Sequence, residues 1–217
     1  MTVDLHSHNT ASDGNLGPSE LLLRATLQGV DLLAITDHDS IDGYLAIRDL
    51  PQSAMRLISG VELSCVWGGV VVHVVGLNMD VDNVAFRLAL TNQQHARSQR
   101  AELIGKALEK CGFSGGYAYA AELAGVGQIG RPHFAQFLLD RSHVKSTKQA
   151  YKKYLGAGKP GDVKLVWPSM STVVNWICDS GGVAVQRRRR RGSGGSIRKG
   201  GGGSDGGGGG GGGVVAV

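Results

Sequence analysis

Apolar and polar positions alternate in short blocks through residues 1–186, and each block predicts an element. Val3–Leu5 reads as a short buried strand. Pro18 follows Gly17 and opens a segment whose Leu21, Leu22, Ala25 and Leu27 form one helical stripe, closed by Gly29. Asp31–Thr36 predicts a second strand running straight into Asp37-His38-Asp39, then a helix near Asp42–Leu50 that Pro51 ends. Leu57–Val61 is a third strand ending in Glu62, and Val70–Val75 is a β-branched run interrupted by His73. Asn83 is placed to cap a long periodic helix, Val84–Lys110, that stops at Cys111-Gly112. Shorter helices are expected near Tyr119–Ala124, Pro132–Asp140 and Thr147–Tyr154, a loop over 156–162, and a helix over Ser171–Asp179. Gly181-Gly182 then leads into Val183–Val185, which has the composition of a central strand. Strands alternating with helices favour a parallel sheet covered on both faces. Polar residues recur at the C-terminal ends of several strands, which favours a barrel over an open sheet.

The pattern breaks at Arg187. The last 31 residues hold 15 glycines and a run of five arginines, a composition that pays full backbone entropy with almost nothing to bury. Locating the charge changes what it implies. Residues 1–186 carry 16 Lys/Arg against 17 Asp/Glu, near −1, whereas the tail carries seven basic residues and Asp205, near +6. The net +5 of the chain therefore does not describe a basic, nucleic-acid-binding domain. The tail would contact polyanions without specificity. Cys65, Cys111 and Cys178 are odd in number and in no CxxC arrangement, so reduced thiols and a cytoplasmic protein are expected. No leader or membrane-spanning run is expected, and no specific protein partner is evident.

The chemistry lies in Asp4-Leu-His6-Ser-His8. In extended backbone, residues two apart share a face, so Asp4, His6 and His8 converge. Asp13 follows in the loop after the first strand, Asp37, His38 and Asp39 after the second, Glu62 after the third and His73 inside the next apolar run, and His133 sits in GRPHF at a helix start with Arg131 before it. A histidine between Val72 and Val74 is costly unless partnered. Six or more N/O donors without cysteine suit hard to borderline divalent ions, and clusters of these suit phosphate-ester hydrolysis. Arg131 is placed to bind an anion. His95 and His143 read as surface residues, and Trp67 and Trp167 as core or rim aromatics. GAGKPG lacks the spacing of a phosphate-binding loop, although Lys159 within it could reach a substrate phosphate.

The ordered set DLHSHNTASDG, LLAITDHDSIDG, ISGVELS, HVVGL and GRPHF resembles the polymerase-and-histidinol-phosphatase (PHP) superfamily of metal-dependent phosphoesterases. YKKYLGAGKPGDV and the long helix resemble its bacterial branch that removes the 3′-phosphate from nucleoside 3′,5′-bisphosphates and trims short RNA from the 5′ end. The resemblance implies an α/β fold, a distorted seven-stranded (βα) TIM-like barrel with a helical insertion at about 80–130. It implies two or three divalent ions, Mn foremost, with Zn, Fe or Mg as alternatives. His6 and His8 would hold the first, with Glu62 bridging to a second completed by His73 and His133. Asp13 and His38 would serve a third. Arg131 would contact the substrate phosphate, and Asp4 and Asp37 would orient imidazoles. The substrate would be a nucleotide or short oligonucleotide. A histidinol-phosphate-type phosphatase and an inactive metal- or RNA-binding remnant are the alternatives.

The chain departs from the family after Gly-Gly-Val-Ala-Val. There the family continues with an Ala-His-Pro motif and later an Asp-x-His, which would supply a histidine near the substrate, the remaining carboxylate of the first metal and the remaining histidine of the third. Here Gln186 is followed by arginines, and no histidine occurs beyond His143. The expectation is an incomplete barrel over 1–186 and a low-complexity segment over 187–217. A shifted reading frame, an artificial segment and a truncated relative would each produce that break.

Overall fold

The computed structural model describes residues 1–50, 55–125, 127–164, 167–187 and 214–216. Its first sheet is parallel, in the order β1 (Val3–Ser7), β2 (Leu32–Ile35), β3 (Arg56–Ile58). Helix α1 (Pro18–Leu27) crosses from β1 to β2 and buries Leu22 and Ala25 with Leu33, Ile35, Ile47 and Met55. The expected helix after β2 is one turn, α2 (Asp42–Leu45), and its expected terminator Pro51 lies outside the described residues.

The second sheet is antiparallel: β4 (Gly60–Trp67), β5 (Val70–Leu77), β6 (Val183–Arg187), β7 (Val214–Ala216). The parallel sheet expected from the sequence is therefore corrected, since this second sheet is antiparallel. The described residues form a mixed α/β structure of two sheets, three-stranded and four-stranded, and no closed barrel. The cause is Gly68-Gly69, both at positive φ (55° and 73°), which turns β4 directly back on itself. A two-residue turn can only make an antiparallel pair, since a parallel one needs a crossover. β3 and β4 follow each other with only Ser59 between. They bend where Gly60 passes β2 so closely that a Cβ would lie 2.5 Å from the Ile35 carbonyl oxygen. The two sheets meet there, for Glu62 N–H donates to Asp37 C=O and Asp39 N–H to Glu62 C=O, each at 3.0 Å.

Helix α3 (Val84–Lys110) begins where the Asn83 side chain accepts from Phe86 N–H, as the cap signal predicts. Phe86 and Leu90 join the core under the second sheet with Val173 and Ile177 of α7 (Met170–Asp179). Its far half puts Ala101, Ile104 and Leu108 into a separate core with α4 (Gly116–Ala124), α5 (Arg131–Asp140), α6 (Thr147–Ala150) and a π-helical turn, Tyr151–Leu155. The helical region thus runs on to about residue 155. Between the two cores α3 buries polar residues, Gln93, Arg97 and Arg100. Most of the Arg/Gly segment, 188–213 and Val217, lies outside the described residues.

Candidate metal centre

The end of β1, the turn after β2 and the facing hairpin deliver four imidazoles in a row. Ring centroids are 5.2 Å apart for His6 and His8, 4.8 Å for His8 and His38, and 4.7 Å for His38 and His73. Glu62 sits at their centre. Its Oε2 lies 3.2 Å from His6 Nε2 and 3.1 Å from His8 Nε2, and its Oε1 lies 3.1 Å from His73 Nδ1. Strand alternation explains the meeting: His6 and His8 share one face, and Glu62 and His73 lie on neighbouring strands two residues out of direct register, hence on the same face. Asp13, in the loop after β1, reaches His8 Nδ1 at 3.1 Å and His38 Nε2 at 3.7 Å. Three donor groups result, His6/His8/Glu62, His8/Asp13/His38 and His38/Glu62/His73, each with its ligand atoms within 4.8 Å.

The electrostatics follow from this crowding. Burial alone would raise Glu62, but hydrogen bonds from His6, His73 and His8 outweigh it and hold the carboxyl well below the usual range. For His8, burial is overcome by bonds to Asp13 and Glu62, and the imidazole is raised to about 9. Asp13 is lowered to about 2 by its bond with His8, against the effect of burial. His38 goes the other way, to about 4, because burial and then the Arg97 charge disfavour its protonated form.

Supporting contacts fix this ring. Asp37 is buried and does not touch an imidazole. It accepts from Asn9 N–H at 2.9 Å and Ser12 O–H at 2.6 Å, and Ser12 Oγ in turn lies 3.4 Å from His8 Nδ1. Asp39, fully buried at positive φ, accepts from Ser64 N–H at 2.6 Å, from Gln93 and from the Arg97 guanidinium. Burial would raise its carboxyl, but the Arg97 charge and these bonds keep it lowered. Arg97 and Gln93 went unread in the sequence. They extend the apolar stripe of α3 at helical spacing (Phe86, Leu90, Gln93, Arg97, Ala101), and that continuity was the available signal.

The remaining expected residues are placed as follows. Arg131, at the start of α5, lines a cavity of about 150 Å³ together with Asp13, His38 and His73. His133 is not in any of the three donor groups, and its Nδ1 accepts from Gly130 N–H at 2.9 Å, capping α5. Asp4 is exposed and accepts from the His6 amide at 3.2 Å rather than meeting a ring. Lys159 is exposed in its loop and does not line the cavity. His95 is exposed, and His143 packs against Phe113 with ring centroids 4.5 Å apart. Trp67 is exposed beside the hairpin turn, and Trp167 is buried.

No family model matches the chain. It is 41% identical over 186 residues to a 5′-3′ exoribonuclease of Haemophilus influenzae, covering 84% of this chain and 66% of that protein. It is 38% identical over 185 residues to a 3′,5′-nucleoside bisphosphate phosphatase of Chromobacterium violaceum, covering 84% and 65%. Among solved structures it resembles an amidohydrolase from Chromobacterium violaceum holding sulfate and no metal, with TM-score 0.76 and 36% identity over 85% of this chain and 66% of that one. The chain spans about two thirds of the length of the curated relatives it matches.

Proposed function

Since the chain belongs to the PHP-type phosphoesterases, we propose that it hydrolyses nucleotide phosphate esters with divalent ions held by the ring around Glu62. The substrates we assign are the 3′-phosphate of nucleoside 3′,5′-bisphosphates and the 5′ end of short RNA. The names of the relatives support this choice.

The observation that carries the reading is the sharing of Glu62. One carboxylate oxygen faces His6 and His8 and the other faces His73, the arrangement of a bridging ligand. The donor set fits such ions. Two imidazole Nε2 atoms stand 3.1 Å apart, His38 Nδ1 is buried without a hydrogen bond among the described residues, and every donor is N or O. His6, His8 and Glu62 would hold one ion, Glu62, His38 and His73 a second, and His8, Asp13 and His38 a third. Bound divalent ions supply Lewis acidity that makes water a nucleophile at neutral pH and neutralises phosphoryl oxygens.

The chain's own residues do the rest. Arg131 binds the phosphoryl oxygens, its planar fork matching them. Asp37 fixes His8 through Ser12, and the Asp39–Arg97 pair holds the backbone on which His38 is mounted. His133 remains a proposed ligand through Nε2, since its Nδ1 is committed to the cap.

Incubating the Mn²⁺-loaded chain with adenosine 3′,5′-bisphosphate tests the reading. Inorganic phosphate should be released, and Glu62→Gln should abolish the release. A chain loaded in turn with Mn²⁺, Zn²⁺ and Fe²⁺ that releases none refutes it.

A further inference from the structure

The cavity beside the imidazoles carries more positive charge than the scissile group accounts for. Arg97, Arg100 and Arg131 all line it. Arg97 is neutralised by Asp39. Arg100 is 6% exposed, and its Nε donates to the Val163 carbonyl at 2.9 Å. Arg131 donates to the Leu155 carbonyl at 3.3 Å. Both contacts are neutral, and neither guanidinium has a carboxylate in ion-pair range among the described residues. A buried cation without a counter-ion is costly, so a site that keeps one is built for an anion from outside. Burial, then the like charges of Arg131 and Arg97, already lowers Arg100 to about 10.

Trp167 gives Arg100 its orientation. The Arg100 Cζ lies 5.5 Å from the centre of that ring and the Arg97 Cζ 5.4 Å, so the buried indole backs both guanidiniums. It is too enclosed to stack a nucleobase. Its Nε1–H is buried with no acceptor among the described residues, an unpartnered donor at the same wall as Arg100. A planar guanidinium held by its Nε and backed by a ring leaves its remaining N–H groups for bidentate binding of phosphate.

We propose that Arg100, backed by Trp167, binds a second phosphate monoester dianion of the substrate, beside the metal ligands and independent of the ions. The proposal rests on the nucleotide phosphoesterase reading above and sharpens it. The substrate must carry two phosphates, and the one that is not cleaved is read by Arg100. Arg100 is thereby a specificity-determining residue.

The probe is adenosine 5′-monophosphate, which carries only the phosphate that is retained, titrated into the full chain by calorimetry at physiological ionic strength. In EDTA it should bind while adenosine does not, and added Mn²⁺ should leave its affinity unchanged. Arg100→Gln should weaken it by about 10-fold or more, the loss of a charged hydrogen-bonded contact. Arg100→Lys, which keeps the charge but loses the fork, should fall between the two and shows the effect if the glutamine variant does not fold. Lys106→Gln, an exposed charge on the same helix, should change nothing. Binding that needs Mn²⁺, or that survives Arg100→Gln unchanged, overturns the proposal. Mn²⁺ uptake in the same samples separates this result from the metal reading. A chain that takes up no Mn²⁺ yet shows Arg100-dependent binding keeps the subsite and loses the phosphoesterase.

Discussion

At the scale of single residues the site depends on buried charges that cancel in pairs. Asp39 is the most enclosed, and its partner Arg97 is nearly so. Removing one member leaves the other uncompensated, so Asp39→Asn or Arg97→Met should lower stability by about 3–5 kcal/mol, read from a denaturant midpoint. The sign with pH follows from the lowered carboxyl. In acid the unfolded chain takes up this proton before the folded one does. The contribution is complete above the ordinary carboxylate range and is lost as pH falls toward the folded value. The Asp39→Asn variant should therefore lose less stability on acidification than the parent. His8 carries a different prediction. Held near 9 by Asp13 and Glu62, it keeps its proton at neutral pH and must release it to bind a cation. Mn²⁺ affinity should rise as pH rises toward 9, with proton release measurable by calorimetry in buffers of different ionisation enthalpy. A flat profile would contradict a His8 proton held to about pH 9 and released on ion binding.

At the scale of elements, what was legible had a local cause. Asn83 and Pro18 announce their helices, and Asn83→Ala should cost about 1 kcal/mol, since its side chain satisfies the Phe86 N–H. An unchanged thermal midpoint would contradict that. The strands and turns bearing His6, His8, His38, Glu62 and His73 were likewise readable, because extended backbone fixes which side chains share a face. Two features escaped. The Gly-Gly between β4 and β5 is a hairpin signal, yet two β-branched runs in a chain rich in helices look like parallel strands until the turn is weighed. The middle of α3 looks polar and solvated, but Gln93, Arg97 and Arg100 lie on its buried face because a charged site, and not solvent, covers them. Periodicity records which face is buried, while residue type alone suggests the opposite.

At the scale of the whole molecule, α3 joins a core under the antiparallel sheet to a second, all-helical core, and the candidate site lies along its polar middle. That placement was out of reach of the sequence, since it depends on which long-range faces meet. The all-parallel sheet was misjudged for a related reason, as strand direction depends on which distant strands meet. The site itself needed only the short motifs and the bend at Gly60 that brings β4 against β2. Among the described residues no helix is long and apolar enough to cross a membrane. The most direct test is the Mn²⁺ stoichiometry of the intact chain, by equilibrium dialysis and elemental analysis, set against Glu62→Gln. Glu62 belongs to two of the three donor groups. The account predicts at least two ions per chain, falling to at most one in the variant. Fewer than one ion in the parent, or the same number in both, would contradict it.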